Sequence, residues 1–191
     1  MSVDRKQQIV EAATKSFTLF GYKATTMDQV ARLANVGKGT IYNFFTNKEQ
    51  LFQEIVHSLI LEMKMVAEES IIPTKSFHEN VHTALFAILE YRTKHQFMMK
   101  LLEEEKEIGT PAVAQMVNEI ERAIVSYIKE KVDMAMNKGE ITVSNSELSA
   151  FLIFKMYSAL IFDWEKNHEP LEKEEIAKLL QLFILKGLST D

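Results

Sequence analysis

The chain has 191 residues, of which 47% are apolar and 26% charged, with a net charge of −5 and no cysteine. That is room for one large domain or two small ones, in the balance of a folded chain and not a disordered one. Disulfide scaffolds, thiolate zinc sites and cysteine nucleophiles are excluded together, and no apolar run approaches the roughly 20 residues of a membrane span.

Ile9, Ala12, Ala13, Ser16, Phe17 and Phe20 recur at helical spacing behind an Asp4–Gln7 capping box, and predict a first helix that Gly21 closes. Thr26 with Gln29 opens a second, short helix whose apolar set is Met27, Val30, Ala31 and Ala34. Asn35 follows, a residue that tolerates the left-handed conformation of a helix end. After Val36 and Gly37 comes a third short helix over Lys38–Phe45, and then Asn47 with Gln50 caps a fourth, carrying Leu51, Phe52, Ile55, Val56, Leu59, Ile60 and Met63 to about Ser70. Beyond Pro73, Phe77 to Leu89 predict a fifth helix and Gln96–Ile108 a sixth. Thr110–Pro111 starts a seventh, with proline where its missing N–H costs nothing; Ser144 with Glu147 caps an eighth; Pro170 precedes a ninth with Ile176, Leu179, Leu180 and Phe183. No stretch alternates with period two long enough to form a strand. The expected fold is all-α, with about nine helices.

Residues 27–45 divide into helix, short turn and helix, with Ala31 small enough for the two to pack closely. This is the layout of a helix-turn-helix, whose second helix fits a DNA major groove. Lys38 offers a cation to phosphate and Gly39 a close backbone approach; Thr40 and Tyr42 offer hydroxyls, and Asn43 can read a base edge. Lys48 stands at the start of the fourth helix, where exposed N–H groups attract phosphate. Spacing alone fits equally well an ordinary helical hairpin with a polar outer face. Residues 1–50 carry a net charge of +3 and residues 51–191 a net −8, as fits a chain whose first part alone meets a polyanion.

The stretch from Ile9 to Phe52, IVEAATKSFTLFGYKATTMDQVARLANVGKGTIYNFFTNKEQLF, resembles the tetracycline-repressor (TetR) family of transcriptional regulators. The likeness rests on Ala-Ala, Phe, Gly-Tyr-x-x-Thr-Thr, Val-Ala, Val-x-Lys-Gly-Thr-Ile-Tyr-x-x-Phe and Lys-Glu-x-Leu, over about the first quarter of the chain. It implies a helix-turn-helix DNA-binding domain over residues 1–50, linked by the helix over 47–70 to an effector-binding and dimerisation domain over 51–191. It implies phosphate contacts by Thr26, Lys38, Thr40, Tyr42 and Lys48, base-facing positions at Gly39 and Asn43, and a seating role for Phe44 and Phe45. Asn35 stands where the family usually has glycine, and Gly37 where serine or alanine is commoner, which removes a cap. Partners implied are a double-stranded operator, a second copy of the chain and a small-molecule effector, with no cofactor and no membrane. The start MSVDRKQQ lacks the apolar stretch of a signal peptide, so the expected location is the cytoplasm.

The local sequence adds to this. From Leu148 to Trp164 most residues are apolar, on every side of a helix, and such a helix must be buried both within its subunit and against a partner. The ninth helix has a second apolar row, Leu182 and Leu185, that needs another cover. Pairing of helices eight and nine across a homodimer is the expectation. Residues 51–191 hold eight Met and eight Phe, adaptable side chains that suit a pocket for a hydrophobic or amphipathic molecule, although core packing is their commoner use. Candidate walls are Phe97, Met98, Leu101, Met116, Ile120, Phe151, Phe154 and Tyr157, with Lys155 and Ser158 placed to meet an anionic head group.

An enzyme is the alternative. Glu54-x-x-His57 and Glu79-x-x-His82 have the spacing of di-iron carboxylate bundles. At about 100° per residue, however, Glu54 and His57 lie roughly 150° from the centre of their helix's apolar stripe, and Glu79 also points away from its own. Solvated faces are expected, with no metal and no catalytic residues. His78 with His82 has the spacing to hold a single ion, although a surface pair is the simpler expectation. The acidic run Glu103–Glu105 is expected to face solvent.

Overall fold

The computed structural model describes residues 2–90, 95–180 and 182–183. Among these there is no strand, and the α-helices follow in the order α1 (Ser2–Ala24), α2 (Met27–Leu33), α3 (Lys38–Phe44), α4 (Lys48–Ser70), α5 (Phe77–Glu90), α6 (His95–Ile108), α7 (Pro111–Asn137), α8 (Ser146–Ser158) and α9 (Lys173–Leu180). The all-α expectation is met, and most ends fall where local chemistry puts them. Gly21, with φ +81° and ψ 166°, breaks α1 one turn before its end. Thr26 and Gln29 form the reciprocal capping box of α2. Asn35 takes the left-handed conformation, φ +52°, and Gly37 precedes α3 without a side-chain cap. The Asn47 carboxamide oxygen accepts the Gln50 N–H at 2.8 Å to start α4.

Three starts differ from expectation. Helix α1 already begins at Ser2, ahead of Asp4. Helix α8 is capped by Asn145 and not Ser144: the Asn145 side chain accepts the Leu148 N–H at 2.9 Å. Helix α5 has a capping box that the expected elements did not include, in which the Glu79 carboxylate accepts the Ser76 N–H at 3.0 Å and the Glu79 N–H donates back to the Ser76 hydroxyl at 3.3 Å. Beyond α8 the helix widens into a π turn over Ala159–Asp163 and then tightens to a 3-10 turn over Trp164–Lys166. The inserted residue brings the adjacent Ile161 and Phe162 both inside.

Contacts divide the chain into two compact units, Met1–Leu61 with Thr93–Ile120, and Glu62–Arg92 with Glu121–Asp191. This differs from a cut near residue 50, because α1 packs on α6 as well as on α2. In the first unit Ile9, Ala13 and Phe17 of α1, Val30 of α2, Ile41 of α3, Phe45, and Leu51, Phe52 and Val56 of α4 are buried together with Leu101 of α6. Phe52 organises the rings: Phe17 and Phe97 meet it edge-on at 5.4 and 6.3 Å, and Tyr22 lies tilted at 4.7 Å. In the second unit α9 packs on α5 and α8, burying Ile176 and Leu180 of α9 and Ala150 and Ile153 of α8. The opposite face of α8 leaves Leu148, Phe151 and Leu152 in solvent, and Trp164, Leu182 and Phe183 are exposed as well. Leu185 lies outside the described residues.

Candidate nucleic-acid interface

Helix α3 is short because Gly37 and the extended Phe45 bound it. Its inner side is one residue wide: Ile41 is fully buried, and Phe45 just beyond the helix is buried with it. Phe45 is buried and Phe44 half-buried, and Ile41, which was not singled out from sequence, is the fully buried residue of the helix. Apart from Phe44, the rest of α3 faces outward. Lys38, Gly39, Tyr42 and Asn43 are exposed and Thr40 is half-exposed, so five of the expected DNA-facing residues share one face of one helix.

Chemically this face is a row of donors with one cation. The Lys38 ammonium donates to Asp28 of α2 at 3.0 Å, and that hydrogen bond, with the negative charge behind it, holds the ammonium above its ordinary pKa. Both partners lie in solvent, where such a pair contributes little, so the cation is readily passed to another anion. At Gly39 a Cβ would meet nothing within 4 Å: the space in front of the helix is open. Thr26 is also exposed, but its hydroxyl serves the capping box, accepting the Gln29 N–H at 3.3 Å and lying 3.1 Å from the Gln29 carboxamide oxygen.

Lys48 is placed differently from the others. Its ammonium turns inward and donates to the carbonyls of Tyr22 at 2.7 Å and Thr25 at 2.8 Å, 4.2 Å above the Tyr22 ring. Burial lowers its pKa, with the Glu104 charge opposing. Glu104 itself corrects an expectation: Glu103 faces solvent, but Glu104 is 4% exposed and sits inside the first unit. Nothing in the local acidic run distinguishes it.

The ten candidate pocket residues divide evenly between the units. In the first, Phe97, Leu101, Met116 and Ile120 are buried and Met98 is half-buried. In the second, Tyr157 is buried, Phe154 and Ser158 are half-buried, and Phe151 and Lys155 are exposed. Lys155 already has an anion, Glu121 at 2.8 Å, and lies 5.3 and 5.5 Å from the rings of Phe151 and Phe154; the Ser158 hydroxyl donates to the Lys155 carbonyl at 3.0 Å. In the second unit Tyr127, which sequence did not single out, is a further partly buried polar residue. The Tyr127 hydroxyl is buried beside Glu68, its ring faced by Lys131 at 5.0 Å and Lys64 at 5.8 Å. Burial, with Glu68 beside it, pushes its pKa up.

The Glu-x-x-His pairs are engaged in surface contacts. Glu54 accepts from Lys6, His57 lies 2.7 Å from Glu119, and Glu79 caps α5; the side chains of His78 and His82 lie outside the described residues. Among the described residues no three His, Asp or Glu side chains gather to hold a metal ion, and no helix is long and apolar enough to cross a membrane.

Comparison with known proteins places this geometry. Residues 9–55 match the sequence model of bacterial regulatory proteins, tetR family. The HTH-type transcriptional regulator YhgD of Bacillus subtilis (strain 168) is 59% identical over 191 residues, covering all of both chains. Among solved structures, the fatty acid degradation regulator FadR of Bacillus halodurans superposes with a TM-score of 0.80 at 17% identity, covering 96% of each chain. The SmeT–triclosan complex gives 0.79 at 16%, covering 98% of this chain and 92% of the other. At those identities the two structures speak for the fold.

Proposed function

The chain belongs to the tetR family of bacterial regulatory proteins and is a transcriptional regulator, not an enzyme, and on that premise we propose that it is a ligand-released repressor. In this reading it works in the cytoplasm as a homodimer that grips a palindromic operator with α3 of each subunit. Residues 1–50 form the DNA-binding part, α4 the link, and residues 51–191 the effector-binding and dimerising part.

The observation that carries the proposal is the outer face of α3, anchored from behind by Ile41 and Phe45 and lined with Lys38, Gly39, Thr40, Tyr42 and Asn43. Lys38, Thr40 and Tyr42 serve phosphates from this face, with Thr26 beside them at the start of α2; Gly39 and Asn43 face the base edges. Lys48, held on the Tyr22 and Thr25 carbonyls, adds positive charge behind that line. Two such helices about 34 Å apart match one turn of DNA. The exposed row Leu148, Phe151 and Leu152 on α8, with Leu182 and Phe183 beyond α9, supplies the apolar surface for pairing.

The effector is a small hydrophobic or amphipathic molecule, a class to which the triclosan bound by the SmeT neighbour belongs. Its walls draw on the candidates of the second unit, Phe154, Tyr157 and Ser158, with the Tyr127 hydroxyl of the same unit as a polar group to orient it. Release follows from differential affinity: an effector that prefers a conformer in which the two α3 helices no longer fit adjacent grooves needs on the order of 5 kcal/mol of preference to empty a filled operator.

The test is selection of duplexes from a random pool by the full-length protein, followed by binding titrations over a range of salt. The expected product is a palindrome, bound with steep salt dependence. Lys38→Ala should weaken binding and reduce the logarithmic salt slope by about one, and Tyr42→Ala should weaken it while the protein stays folded. A wild-type protein that retains no duplex, or two variants that bind as wild type does, would refute the reading.

A further inference from the structure

Glu104 is the one charged residue buried among the described residues, and its partners are unusual in kind. Where Gly21 breaks α1, the amides that follow lose their intrahelical acceptors, and α6 supplies replacements. Glu104 Oε2 accepts the Tyr22 N–H at 2.6 Å; Oε1 accepts the Lys23 N–H at 2.9 Å and the Thr110 hydroxyl at 3.0 Å. From the other side Lys48 of α4 holds the Tyr22 and Thr25 carbonyls. The Thr25 hydroxyl closes the bend by donating to the Gly21 carbonyl at 2.9 Å, and the next residue, Thr26, caps α2. The elbow from Gly21 to Thr26 is thus gripped by its N–H groups from α6 and by its carbonyls from α4.

Gly21 is required twice over. Its φ of +81° disfavours any side chain, and a Cβ there would lie 2.6 Å from Glu104 Oε2. A carboxylate at 104 is equally specific. Two backbone N–H groups and a hydroxyl converge on it, and only an acceptor without protons of its own satisfies all three. Glutamine has the same shape but would turn N–H toward N–H, leaving a buried donor unpaired.

We propose that Glu104 is a positioning residue for DNA recognition: by fixing the elbow between α1 and α2 it sets the angle at which α3 is presented, without touching DNA itself. The proposal rests on the DNA-reading function given above. It makes the placement of α6 and the aim of α3 one mechanical variable, joined through a single carboxylate.

The test is Glu104→Gln in the full-length protein, titrated with a duplex that the wild type has selected from a random pool, at a temperature where both proteins are folded. The dissociation constant should rise about tenfold or more, because the unbound variant relaxes its elbow to pair the freed donor again and must give that up to bind. The logarithmic salt slope should stay at the wild-type value, because the phosphates contacted in the complex are the same. Hydrogen exchange at the Tyr22 and Lys23 amides should quicken. A purely structural role would lower the melting temperature and quicken the same amides but leave affinity measured below the transition unchanged; that outcome overturns the proposal. Tighter binding would also overturn it, since it would mean that the charge at 104 acts on DNA only by repulsion. If Glu104→Gln does not fold, Glu104→Asp keeps the charge and retracts it, and is expected to weaken binding at the same slope; wild-type affinity there overturns the proposal as well. A wild-type protein that selects no duplex removes the DNA-reading function and this proposal with it, whereas wild-type binding matched by Glu104→Gln removes the positioning role alone.

Discussion

Replacing Leu152 of α8 by glutamate should break the dimer, and the size of the effect follows from how much of that side chain one subunit leaves uncovered. Leu152 is 56% exposed, beside Leu148 at 54% and Phe151 at 39%. Burying a whole leucine is worth about 1.5–3 kcal/mol, so covering the remaining half is worth about 0.8–1.7 kcal/mol. A two-fold interface uses the same patch from both subunits, which doubles the term to about 2–3 kcal/mol. The dimer dissociation constant should therefore rise about 30- to 150-fold. That figure is a floor, because the variant also brings two carboxylates into an apolar seam. Sedimentation equilibrium from nanomolar to micromolar protein measures it, with Leu19→Glu as control: Leu19 of α1 is 59% exposed but lies outside the proposed seam. A wild type that is monomeric at micromolar concentration, or an unchanged constant for Leu152→Glu, would refute the assignment of this face.

Three further outcomes are expected. Thr26→Ala removes one half of the α2 capping box and should lower stability by about 1 kcal/mol, read from the urea midpoint at unchanged slope. Asn35 is left-handed at φ +52°, so Asn35→Gly should be neutral or slightly stabilising, whereas Asn35→Val should cost about 1–2 kcal/mol in the same assay. Stability should also fall in acid through Glu68. The hydrogen bond from Lys131 holds its carboxyl below the ordinary 4.5, so the pair's contribution is complete above that pH and lost as pH falls through the lower folded value. Unfolding midpoints at neutral and acid pH should show a smaller acid loss for Lys131→Met than for wild type; an equal loss would remove Glu68 as a source.

What sequence made legible is what neighbours within four residues decide. Thr26 with Gln29 and Asn47 with Gln50 are caps because a short side chain reaches an N–H three residues on, and such reach is written in the spacing. The left-handed Asn35 and the break at Gly21 are legible for the same reason. Ambiguity begins where adjacent residues are equally able to cap, as Ser144 and Asn145 are, and there the carboxamide wins. The π turn after α8 was not legible, since Ala159–Asp163 looks like a continuing helix and only the demand to bury Ile161 and Phe162 together selects the wider turn. Least legible were the contacts between distant segments. Lys48 looked like a surface cation until the fold placed two carbonyls more than twenty residues away against its ammonium, and Glu104 looked like the middle of a solvated acidic run. The exposed face of α3 was readable from its run of polar residues, but which of those side chains stands alone and which is engaged by a neighbour, as Lys38 is by Asp28, is decided by contacts between separate helices.

The contact between Lys38 and Asp28 gives a DNA-reading helix a built-in competitor. Before any duplex arrives, the leading cation of α3 is occupied by a carboxylate of its own chain, 3.0 Å away. A phosphate must evict that carboxylate, and the evicted charge then stands near the backbone and repels it. Every duplex, cognate or random, meets the same small toll at this solvent-exposed pair, so it trims affinity for all DNA alike and leaves the choice between sequences to the base-facing contacts.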